Sequence, residues 1–72
     1  MNSYFVWQQD NPKMTLAAKI SEAIERYRQK FGNWPVVCKV SVKEKEAVEE
    51  VDGVRVEQAK HIPLNNFWLG QP

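Results

Sequence analysis

Cys38 and His61 are the only cysteine and histidine in the chain, so they are the first residues to test for chemistry. A cysteine nucleophile needs a base beside it and an accessible, electropositive setting that favours the thiolate. Cys38 stands instead in an alternating stretch with Val36, Val40 and Val42, and it points where those valines point. Such a side chain reads as an inert core thiol. His61 falls between Lys60 and Ile62 at the end of a strand-like stretch. It reads as a surface or half-buried histidine. No spacing in the chain brings the two together, and catalysis is not expected.

Other chemistries fare no better. One cysteine and one histidine fall short of a structural zinc site, and no CxxC, HxxxH or EF-hand spacing occurs. A phosphate cradle needs glycines in close succession. Gly32, Gly53 and Gly70 are isolated, and each has a simpler use as a cap, a turn or a tail. Glu44, Glu46, Glu49 and Glu50 crowd one segment, which reads as a solvated helix face before it reads as an acid–base pair. The expectation is no catalytic residue, no metal and no cofactor.

Binding is the stronger signal. Three Trp, two Tyr and three Phe gather at 4, 5 and 7, at 27, 31 and 34, and at 67 and 68. A small core holds only some of them, and Trp and Tyr are favoured anchors in protein interfaces. The leading expectation is a small non-enzymatic protein-interaction or accessory domain, self-association included. Its contact residues would be Tyr4, Trp7, Phe67, Trp68 and Leu69, with the acidic 44–50 segment orienting the partner. The alternative is a nucleic-acid-binding module using Lys19, Arg26, Lys30 and Lys39, with aromatic neighbours to stack on bases. Against it, Glu22 lies within a turn of both Lys19 and Arg26, and the isoelectric point near 7.9 is below that expected of such modules.

Length and charge bound these readings. Seventy-two residues allow one domain with a small core. The formal net charge is +1, yet residues 1–42 are mainly basic and residues 43–57 mainly acidic, which suits orientation of a partner. No run approaches the length of a membrane span, and no signal-peptide pattern is visible. A lone cysteine excludes a disulfide framework and suits the cytoplasm.

These residues must be positioned by a few elements. Residues 1–12 form an arm or first strand, with Asn11 and Pro12 set to start a helix. Leu16, Ala17, Ile20, Ala23, Ile24, Tyr27 and Phe31 recur at steps of three and four, predicting a long amphipathic helix over 13–31. Glu22 and Arg26 are spaced for an ion pair, Gly32 suits the helix end and Pro35 stops it. Residues 36–42 alternate as a central strand. Ser41 to Glu44 fits a capping box, so 43–51 is expected as a short helix. The competing arrangement is a hairpin turning on Asp52-Gly53. Residues 54–59 form a strand, and 62–72 an extended tail. The result is a small α/β domain (α+β being the other possibility), β-α-β-(short α)-β, with the long helix on a three- to four-stranded sheet.

Overall fold

A computed structural model of the chain describes residues 4–71. The first three residues of the expected arm, and Pro72 of the expected tail, lie outside the described residues. The elements are β1 (Tyr4–Gln8), α1 (Leu16–Phe31), β2 (Val37–Ser41), β3 (Glu50–Val51), β4 (Val54–Ala59) and β5 (Asn66–Gly70). They make one mixed α/β domain, with α1 packed on a five-stranded sheet ordered β1-β5-β2-β4-β3. β2 is central and parallel to β4, while β5 lies antiparallel to both β1 and β2. The chain therefore builds a β1-α1-β2 crossover and later threads β5 between its two strands.

The core forms where the helix stripe meets one sheet face. Leu16, Ile20, Ala23, Ile24 and Tyr27 from α1 pack with Cys38, Val40, Val51, Val54, Phe67 and Leu69, all buried. Phe5, Trp7, Val48 and Val56 close its rim. α1 ends as expected: Gly32 adopts φ 74° and its N–H donates to the Arg28 carbonyl. Nothing lies within 4 Å of where a Cβ would sit, so glycine is required there by conformation alone.

Four expectations are corrected. The helix begins at Leu16, capped by Thr15, whose Oγ1 accepts from the Ala18 N–H at 3.1 Å. Asn11 closes a separate turn, accepting from the Lys13 N–H. Residues 43–51 are not a helix. Ser41 Oγ accepts from the Lys43 N–H, closing a local turn, and Glu50–Val51 pairs antiparallel with Val54–Arg55. Asp52 and Gly53 have φ 52° and 81°, the pair of left-handed residues that a tight hairpin turn demands. The extended tail holds an inner strand, Asn66–Gly70, and the sheet has five strands where three to four were expected. Finally, Val36 and Val42 flank β2 and are exposed, so only Cys38 and Val40 of that series face the helix.

Tertiary demands explain the lost short helix. Glu46 Oε2 accepts from the Leu16 N–H at 2.7 Å, which places a carboxylate at the positive end of α1. Glu44 Oε2 accepts from the Asn65 N–H at 3.1 Å, fixing the turn into β5. Asn65 sits at φ 68°, its carbonyl accepting from the Gln9 N–H and its Oδ1 from Lys19 Nζ. A segment of weak, short helix propensity yields to such bonds.

Candidate functional site

Register decides which aromatic residues share a surface. Side chains alternate across each strand, and directly paired residues point the same way. Phe5 pairs with Leu69, Trp7 with Phe67, Cys38 with Leu69, and Val40 with Phe67. These face α1. Tyr4, Val6, Trp68 and Lys39 therefore face the opposite side. Among the described residues, no helix packs on that side.

A compact cluster forms there. Val6, Trp68, Lys39 and Glu57 make one cross-strand row over β1, β5, β2 and β4. The Tyr4 and Trp68 rings lie 5.9 Å apart at 43°. His61 meets the Trp68 ring edge-on at 5.2 Å, and Lys39 Nζ sits 5.1 Å from the Tyr4 ring. Tyr4, Trp68 and Lys39 are half-buried, whereas Val6 is 50% exposed. Arg55 and Glu57 on the same face pair with each other at 2.7 Å. The surface is aromatic, held in place by its own contacts, and close to balanced in charge.

The five expected contact residues divide three ways. Tyr4 and Trp68 are together on the open face. Trp7 is on the helix face, its Nε1 donating to Glu22 Oε1 at 2.9 Å and its ring beneath the Arg26 guanidinium. Phe67 and Leu69 are 0% exposed, so their expected place in a surface patch is corrected to the core. His61 and Val6 complete the cluster and were not expected in it.

The four cations of the nucleic-acid alternative are dispersed. Lys19 is buried and bonded to Asn65. Arg26 lies over Trp7, and Lys30 over Phe5 and Phe31, on the helix side. Only Lys39 reaches the open face. The expected Glu22–Arg26 ion pair is replaced: Glu22 accepts from Gln9 and Trp7, and these bonds hold its carboxyl below the ordinary carboxylate value. The acidic segment does not stand wholly free to orient a partner, because Glu44 and Glu46 are bonded inward.

The catalytic possibilities are separated by the sheet. Cys38 is 0% exposed on the helix side, and burial pushes its thiol up to about 12. His61 is on the other side, against Trp68. Among the described residues, no group of three or more His, Cys, Asp or Glu is placed to hold a metal ion. A groove of about 530 Å³ runs along the outer side of α1. Several of its lining groups are already engaged: Ser21 donates to Asp52 at 2.8 Å, while Arg28 pairs with Glu25 and covers Trp34 at 4.1 Å. No described helix is long and apolar enough to cross a membrane.

Comparison with protein-family models, curated proteins and solved structures finds no match for the chain.

Proposed function

We propose that this domain works by protein contact through the open face of its sheet, without chemistry of its own. The observation that supports this most is the pairing of Tyr4 and Trp68 on a face that no helix covers. Both rings are oriented by neighbours before any partner arrives, so little side-chain freedom is lost on binding. Tyr and Trp of this kind anchor protein interfaces. Single-stranded nucleic acid is the poorer occupant. Bases stack on free ring faces, but the Tyr4 and Trp68 rings are tilted and His61 meets Trp68 at 78°. The cations that would hold phosphates are scattered over both sides of the sheet. The free Cys38 fits a reducing compartment, and a cytoplasmic setting goes with this reading.

The test compares capture from a lysate by the intact chain, by Trp68→Ala and by Trp7→Ala, each with and without nuclease. The expected result is the same protein retained by the intact chain and by Trp7→Ala, in both nuclease arms, and lost with Trp68→Ala. Capture that disappears on nuclease treatment assigns the face to nucleic acid instead. Equal capture by Trp68→Ala removes the open face from the function.

A further inference from the structure

The two edges of the sheet are built differently. The β3 edge is only two residues long and carries Glu49, Glu50 and Asp52 around it. Shortness and like charge are the ordinary protections against edge-to-edge pairing. The β1 edge has neither. Tyr4–Gln8 is five residues long, has no proline or charged residue, and pairs with β5 in an unbroken register without a bulge. Arg26 and Lys30 sit over the Trp7 and Phe5 rings, which point to the helix face of that strand.

The phase of the ladder identifies the free groups. The Gln9 N–H donates to the Asn65 carbonyl at 3.0 Å, continuing the β1–β5 pairing by one step. In an antiparallel pair, alternate residues turn both backbone groups toward the partner. Phe5, Trp7 and Gln9 therefore face β5, while Tyr4, Val6 and Gln8 turn their N–H and C=O groups outward. No described residue pairs with them there.

We propose that β1 pairs antiparallel with β1 of a second copy of this chain, about a two-fold axis at Val6, joining two sheets into one. A second copy fits for three reasons. The strand itself has no charged residue, so no like charges face each other within the paired ladder. It is symmetric in character about Val6, which sets Val6 against Val6 and Tyr4 against Gln8. Its other possible mate, the acidic β3 edge, is too short to continue the ladder, so the contact closes as a dimer instead of growing into a fibre. Pairing also sets the two Tyr4–Trp68 clusters on one continuous face. This inference concerns the backbone edge of β1 rather than the open face, on which the Val6 side chain also lies, and a dimer lost in Val6→Pro but kept in Trp68→Ala separates the two.

The assay is sedimentation equilibrium over a concentration series. One paired edge is a small interface, so the intact chain should pass from monomer to dimer at a concentration on the order of 100 µM. Val6→Pro removes an outward N–H without breaking an internal bond, and should stay monomeric with unchanged circular dichroism. If Val6→Pro fails to fold, Val6→Lys serves, because it sets two like charges together on the axis. Val6→Cys should yield a disulfide-linked dimer on mild oxidation, since paired Cα atoms lie about 5.5 Å apart, and buried Cys38 does not compete. An intact chain that remains monomeric at about 1 mM, an order of magnitude above that estimate, overturns the proposal. So does a dimer that survives in both Val6→Pro and Val6→Lys. Such a dimer, if lost in Trp68→Ala, would place the seam on the open face.

Discussion

Phe67 and Trp68 are adjacent in β5 and point to opposite sides of the sheet, so truncating each should have a different effect. Phe67 is 0% exposed and heads the fully buried side chains by size. Phe67→Ala removes its transfer free energy and leaves a cavity enclosed by α1 and the neighbouring strands, at a cost of about 3–5 kcal/mol. A chain of this length has roughly 4–11 kcal/mol in total. The variant should therefore lose from about a quarter to all of its margin, and its thermal midpoint should fall by roughly 12 °C or more. Trp68 is half-buried, and solvent fills the space its ring leaves. Its main loss is the ring contacts with Tyr4 and His61, each about 0.5–1.5 kcal/mol. Urea titration of both variants beside the intact chain measures the two losses directly. The expected order is a larger drop for Phe67→Ala, and loss of partner capture with retention of fold for Trp68→Ala. A Trp68→Ala loss equal to or larger than that of Phe67→Ala would refute the register argument, because it would make Trp68 core.

Three further outcomes follow from specific contacts. Glu46→Ala should cost about 1 kcal/mol in urea unfolding by leaving the Leu16 N–H uncapped, and an unchanged midpoint would mean that the loop does not cap the helix in solution. Glu22 is held below its ordinary 4.5 by bonds from Gln9 and Trp7, with a smaller contribution from Arg26. A depressed carboxyl stabilises the fold above its unfolded value, and that share disappears as pH falls from 4.5 through the lower folded value. Glu22→Gln should flatten the stability curve in that window, and a curve parallel to that of the intact chain would count against the bond pair. Burial raises the Cys38 thiol to about 12, so a thiol reagent at pH 8 should label Cys38 in urea and leave the native protein untouched. Prompt native labelling would reopen thiol chemistry.

What was legible in the sequence was local. The stripe from Leu16 to Tyr27 and the glycine at 32 specify α1 and its end without help from the rest of the chain. Its start was misjudged because Asn11-Pro12 is a sound local signal, while the cap in use is Thr15 reinforced by Glu46, thirty residues away in sequence. The same distance effect decided residues 43–51. Asp52-Gly53 carries a hairpin signal and the glutamates before it favour a helix, but Glu44 and Glu46 bond to Asn65 and Leu16 instead.

The candidate face was harder to read for a stricter reason. Tyr4, Trp7 and Trp68 are visible as aromatic residues from composition alone, but the side of a sheet they occupy is set by strand pairing. In β5, Phe67, Trp68 and Leu69 form an unbroken apolar run, so hydropathy gives no alternation to follow. The pairing of Val6 with Trp68 and of Trp7 with Phe67 supplies what the run lacks. A slip of one residue would bury Trp68 under α1 and expose Phe67 and Leu69. The helix-side volume opposes that slip, because Phe67 and Leu69 are already fully enclosed by Ile20, Ile24 and their neighbours. Core packing on one face thus fixes which aromatic residues the other face presents, and Trp68 is available for contact because Phe67 is not.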